Sequence, residues 1–211
     1  TGVENTAVGG LALNSNTTSS GNTAIGRASL YSNSIGEDNT AVGKNSLFSN
    51  TGGFYNTAVG KNSLFNNTAS ANTAVGYEAG FSNTSGVELT AIGYQALRDS
   101  TGNFNTALGS RSLIANSTGV NNTAVGRASL FTNTIGNNNT AIGTDSLQSM
   151  SSGNNNTAVG SAALINNTAS NNTAVGFEAA YSNTSGLYIT AVGYQALRTN
   201  TGTTNTAVGY Q

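Results

Sequence analysis

The side chains best suited to acid–base chemistry in this 211-residue sequence are eight carboxylates: Glu4, Glu37, Asp38, Glu78, Glu88, Asp99, Asp145 and Glu178. Histidine and cysteine both count zero. That removes an imidazole base, a thiol nucleophile, a disulfide framework and any Cys or His metal site. Cleavage of a glycosidic bond by paired carboxylates requires two of them to converge within about 5–10 Å. Glu78 and Glu88 fall in different columns of the repeat described below, so convergence is not expected. Glu178 has no carboxylate partner either, because Tyr188 stands where a second copy of Glu88 would be. Calcium-binding β-rolls place Asp in Gly-Gly-x-Gly-x-Asp turns, whereas the turns here carry Asn and Gly. The sequence therefore predicts no enzyme, no catalytic residue, no metal site and no cofactor.

Binding chemistry has better candidates. Arg27, Lys44 and Lys61 occupy one column of the repeat on successive coils, with Arg127 in the same column later. Stacked like charges could meet sulfated glycans or anionic headgroups. The plainer reading is a solvated face, offset in part by Glu37 and Asp38. Tyr77, Tyr94, Phe177 and Tyr194 share that column and could offer flat faces to sugars. Their plainer reading is packing over a turn. A recurrent Thr suggests an ice-binding row, although such surfaces usually carry two Thr per strand and this one carries a single row. The net charge is -1 with seven scattered basic residues, which argues against nucleic acid, where phosphate neutralisation dominates binding. No apolar run approaches the ~18 residues of a membrane span, so this segment is not expected to insert in a membrane.

What must position these residues is a repeat. Thr-Ala-(Val/Ile/Leu)-Gly recurs with Thr at 6, 23, 40, 57, 73, 90, 106, 123, 140, 157, 173, 190 and 206. The steps run 17, 17, 17, 16, 17, 16 and then repeat in that order. Residues 1–100 and 101–200 align without a gap at about 59 identical positions, and Thr201-Gly202 opens a third block as Thr1-Gly2 and Thr101-Gly102 open the first two. Residues 1–211 thus form one repetitive segment, expected to be an excerpt of a longer fibre. Charged residues are only 7% and the chain contains 33 Asn and 30 Thr. Such a composition alone would suit disordered material, but a fixed period is the mark of stacked repeats.

Counting from the repeat Thr as zero, Ala stands at +1, an aliphatic residue at +2 and Gly at +3. Ala or Ser follows at +6, usually Leu at +7, often an aromatic residue or Ile at +8, and usually Asn at +10 and −1. Asn22, Ala24, Gly26 and Leu30 exemplify the structural columns, as do Asn56, Ala58, Val59, Gly60 and Leu64. Thr-Ala-Val reads as a short strand, Gly as a turn needing positive φ or close backbone approach, and +5 to +8 as a second short strand. Helix is excluded by the density of Gly and Asn and by the lack of a 3.6-residue period. These features predict an all-β parallel β-roll or β-solenoid of 16–17-residue coils, with coils about 4.8 Å apart and a rod of roughly 60 Å. Asn in a fixed column can bond the equivalent Asn above and below, or merely cap its own turn.

Each coil has only two dependable large apolar residues. If Ala at +1 and Ala or Ser at +6 line a narrow interior, the aliphatic residue at +2 turns outward beside Thr. It then forms an apolar stripe that needs a partner surface, which identical chains around an axis would supply. The alternative puts the aliphatic residue inside and leaves Thr as a surface row.

The Asn-Thr-Ala-Val-Gly motif, and the runs Thr-Ala-Ile-Gly-Tyr-Gln-Ala-Leu at 90–97 and its equivalent at 190–197, resemble the head repeats of YadA-like trimeric autotransporter adhesins. They also look like repeats of related bacterial surface and phage-type tail-fibre proteins. The resemblance covers the whole chain on a short motif, and the period here is longer than the family's fourteen to fifteen. It implies a left-handed roll, a homotrimer, extracellular placement on a bacterial surface or phage-like fibre, and attachment to host-surface glycans or matrix proteins. A non-binding spacer or self-assembling filament subunit is the rival expectation.

Overall fold

The computed structural model describes residues 2–211. It is an all-β solenoid in which thirteen three-residue strands, from Thr6–Val8 to Thr206–Val208, stack in chain order as one parallel sheet. Register is uniform: Thr23 pairs Thr40, Ala24 pairs Ala41 and Ile25 pairs Val42, and the other pairs repeat this pattern. Hydrogen bonding between coils continues beyond the strands. The Thr23 N–H donates forward to Asn39 O at 2.8 Å, Gly26 donates back to Val8 O at 2.7 Å, and Leu30 donates forward to Ser46 O at 3.0 Å. A coil of this sequence therefore satisfies its backbone mainly through its neighbours.

The second short strand expected over +5 to +8 does not form. A strand sends consecutive side chains to opposite faces, yet Ser29 and Leu30 are both fully buried, as are Ser46 and Leu47. The segment is instead a turn with left-handed residues at +5 and +7, such as Asn45 (φ 58) and Leu47 (φ 49). A further left-handed residue precedes each strand by two, such as Tyr55 (φ 59) and Asn138 (φ 57). Such conformations cost of order 1–3 kcal/mol each and persist only where the surroundings enforce them. Here the Leu side chain fills the interior and its N–H is held by the next coil, so both ends of the residue are fixed.

The interior is as narrow as the small residues require. Ala at +1, Ala or Ser at +6 and Leu at +7 form one continuous buried column. The Ser29 and Ser46 hydroxyls donate to Gly26 O and Gly43 O at 3.0 Å each, which explains why Ser serves as well as Ala there. Where Leu at +7 is replaced by Gly80 or Ala180, the same coil gains a buried Leu89 or Ile189 in place of Asn. One lost aliphatic side chain is thereby replaced by another.

Asparagine forms ladders, as the columns suggested. Asn139 Oδ1 accepts from the Asn156 backbone N–H at 2.9 Å and its Nδ2 at 3.1 Å, while Asn139 Nδ2 reaches Asn122 Oδ1 at 3.1 Å and Gly153 O at 2.8 Å. A second ladder runs through the +10 column, where Asn50 Nδ2 donates to Asn33 Oδ1 at 3.0 Å and to Gly53 O at 3.0 Å. Met150 interrupts that column, and its thioether accepts from Asn156 Nδ2 at 3.3 Å.

Truncating a ladder residue leaves several buried groups unsatisfied, at about 1–3 kcal/mol for each. Asn139→Ala is expected to destabilise the rod by at least about 2 kcal/mol on that scale. Gly143→Ala is expected to be as damaging, because φ is +129° and a Cβ would lie 2.5 Å from Gly160 O. Equilibrium denaturant unfolding of the two variants, read as midpoint shifts, checks both. An unchanged midpoint for Asn139→Ala would show that the ladder contributes no stability.

Candidate functional site

The sheet's outer face follows from its inner one. With Ala buried in the middle of each strand, Thr and the aliphatic residue both point outward, as in the first of the two arrangements the sequence allowed. Val59 is half-buried, and within the rod Leu108 and Ile142 are 45% and 40% exposed. A Thr row and an aliphatic row thus run side by side along thirteen strands. Adjacent rows are about 6.6 Å apart and successive coils about 4.8 Å apart.

Round the turn, the aromatic residues form ladders of their own. Tyr31, Phe48, Phe65 and Phe81 stack in series with centroids 4.9, 5.0 and 5.1 Å apart, and the Arg98 guanidinium lies 5.7 Å over Phe81. In the +4 column Tyr77 stacks on Tyr94 at 5.4 Å. Lys61 caps the Tyr77 side at 5.5 Å and Arg111 caps the Tyr94 side at 5.9 Å. Phe177 and Tyr194 of the second block stack in series with Tyr210 of the third at 5.4 and 5.1 Å. The rings that the sequence offered as sugar platforms are thus stacked in column, each with at least one face against a neighbouring ring. Each ring–ring or ring–cation contact contributes about 0.5–1.5 kcal/mol.

The basic row lies as its spacing suggested, with Arg27, Lys44 and Lys61 exposed on three successive coils. Glu37 and Asp38 do not pair with it. Among the described residues the ion pairs are Arg98 with Glu78 and Asp99, Arg127 with Asp145, and Arg198 with Glu178. Glu78 and Glu88 are not brought into a cluster, and among the described residues no three metal-ligating side chains gather.

A polar trio present in both blocks escaped the sequence reading. Glu78 Oε2 accepts from Gln95 Nε2 at 3.0 Å and Arg98 Nε at 3.2 Å. One block later Glu178 Oε2 accepts from Gln195 Nε2 at 2.7 Å and Arg198 Nε at 2.6 Å. The signal was available as Glu at +5 of one coil followed by Gln at +5 and Arg at +8 of the next. Finding it required knowing that those columns are neighbours across coils. Burial pushes the Glu78 carboxyl up, but hydrogen bonds from Gln95, Tyr77 and Arg98 outweigh it and hold the group below its ordinary value. The same contact raises the Tyr77 phenol. For Glu178 the hydrogen bond from Arg198, then that from Gln195, lowers the carboxyl.

The trio's chemistry is structural: it ties successive coils on the face that carries the aromatic columns. A carboxyl depressed in the folded state stabilises above its unfolded pKa, ordinarily near 4.5, and that contribution is lost as pH falls through the folded value. The double variant Glu78→Gln/Glu178→Gln is therefore expected to flatten the loss of stability on acidification below the ordinary carboxylate range. Melting temperature measured across acidic pH checks this, and an identical acid slope in variant and parent would show that the trio is not a coupled contact in solution. No protein-family model matches the chain, and no curated protein matches it.

Proposed function

We propose that this chain is a structural and adhesive segment of an extracellular fibre, a stiff rod that self-associates through its outer sheet face. The observation carrying this reading is the Thr and aliphatic double row, continuous over thirteen strands. Its half-exposed Val, Ile and Leu side chains make a longer apolar stripe than a lone soluble rod ordinarily leaves in water. Identical copies around an axis would cover it. The Asn-Thr-Ala-Val-Gly motif supports a left-handed homotrimer of the YadA-like kind, placed on a bacterial surface or a phage-like fibre. The many equivalent coils suit multivalent attachment, in which weak contacts multiply through avidity. A spacer without ligand is the rival, favoured by the near-copying of one block into the next.

Light scattering measures the assembly directly. The expected mass is three times the 21.1 kDa of one chain, and a monomer at every concentration would overturn the self-association. Val59→Asp places a charge within the apolar row and is expected to shift the mass toward one chain. Lys61→Asp, on the neighbouring turn, is expected to leave it unchanged. Equal effects from the two variants would show that the wrong face has been assigned.

A further inference from the structure

The two blocks are not equivalent on the turn face, and the difference opens a groove. In the first block Phe48 stacks between Tyr31 and Phe65. The residue at its equivalent position is Gln148, and Arg111 stands where the first block has Leu11. The aromatic ladder therefore does not continue through Phe131, whose column neighbours are Ile114 and Gln148. Ser110 also leaves a gap in the +4 column between Tyr94 and Arg127. The resulting groove encloses about 560 Å³, with Tyr94, Ser110, Arg111, Arg127, Phe131 and Gln148 among its walls. That volume lies within the ~300–1,000 Å³ of small-ligand clefts.

The chemistry of its walls is selective. Two of the chain's seven cationic side chains line this one groove. Among the described residues Arg111 has no carboxylate within ion-pair distance. Its guanidinium lies over Tyr94, an arrangement that leaves the N–H edge free to donate. Arg127 is 62% exposed and uses Nη2 toward Asp145 at 2.7 Å, leaving its other donors free. Gln148 donates Nε2 to Asp145 Oδ1 at 2.9 Å, so its carbonyl oxygen remains as an acceptor. Phe131 contributes a half-buried apolar wall. Two planar cation donors, a neutral acceptor and an aromatic wall suit a ring that carries both an anionic group and hydroxyls.

We propose that this groove binds an acidic saccharide, with its carboxylate or sulfate held between Arg111 and Arg127 and a sugar ring lying along Phe131. The inference deepens the adhesive reading and rests on it, since it names a ligand class for the fibre. A neutral glycan leaves both guanidiniums unanswered, whereas the anionic group gains charge-assisted hydrogen bonds that are stronger than neutral ones.

The test uses calorimetric titration of the full 211-residue chain with three probes. These are a uronate-containing tetrasaccharide, a sulfated tetrasaccharide and a neutral tetrasaccharide, with inorganic sulfate as control. Binding of at least one acidic probe is expected, weakening as salt rises, with none from the neutral probe. The two acidic arms distinguish carboxylate from sulfate as the recognised group. Arg111→Leu and Gln148→Phe each install the residue found at the first block's equivalent position, which that block already accommodates. Each is expected to weaken binding about tenfold or more, the effect of losing a charged hydrogen bond or the space for the ring. The proposal is overturned by any of three results: silence from both acidic probes, affinity unchanged in both variants, or inorganic sulfate binding as tightly as the saccharides. Light scattering on the same samples separates the two readings. A trimer that ignores acidic saccharides sinks the groove and leaves the fibre standing, while a monomer that binds them does the reverse.

Discussion

In-register stacking is the constraint on which the rest of the structure depends. Every column of the coil lies directly above its own copy, so each side chain must tolerate a similar neighbour at about 4.8 Å. Asparagine meets this condition because its amide both donates and accepts. Asn39 receives Asn56 and donates to Asn22 within one buried column. Aromatic rings meet it by offset stacking, and aliphatic residues by simple contact. Charges do not meet it: two like charges at that spacing repel by roughly 1 kcal/mol in water and by ~3–4 kcal/mol at an effective dielectric of about 20. The low charged fraction of 7% is thus a consequence of the stack. The basic row of Arg27, Lys44 and Lys61 survives in the most screened place, on an exposed turn, with Lys61 lying over the Tyr77 ring.

The same constraint sets how the coil closes. With three residues of strand per coil, the chain must reverse in about fourteen others without proline, and it does so through a recurrent positive-φ Gly at +3 together with repeated left-handed non-glycine residues. Leu47 and Leu64 occupy that conformation although Leu ordinarily avoids it. What holds them there is non-local: a buried side chain on one side and the next coil's carbonyl on the other. Local strain and inter-coil bonding are therefore coupled, and an isolated coil would have no means of holding its turn. Stability on this scheme is a nearest-neighbour property, as in other stacked repeats.

This also explains which features were legible in the sequence. Period, Ala and Gly columns and Asn ladders could be read because stacking turns each structural requirement into a repeated letter. The small residues at +1 and +6 allowed the outward turn of Val, but the opposite arrangement stayed open until the burial of Ala at +1 decided between them. The second strand was misread because the sign of φ leaves no compositional mark here. Asn45, Glu78, Gln95, Arg111 and Ala162 all adopt the same left-handed state at +5. The trio of Glu78, Gln95 and Arg98 was missed because Arg98, at +8, belongs to a different column from the other two at +5, and lateral adjacency between columns is set by the path of the turn. Inspection column by column cannot reveal it.

A periodic rod has a further property that bears on function. Every column that repeats without change offers the same weak surface many times, which suits association with other copies but gives no single place a distinctive shape. Distinctiveness arises only where a column breaks. The interior columns break in compensated ways, as when Gly80 is matched by Leu89, and the rod continues through them. The exchange of Phe48 for Gln148 and of Leu11 for Arg111 has no such interior counterpart. It removes ring stacking that would have stabilised the turn and replaces it with an open, cationic wall. Stability alone would favour retaining the ladder, so the groove is a point on this rod where the sequence departs from what the fold by itself requires.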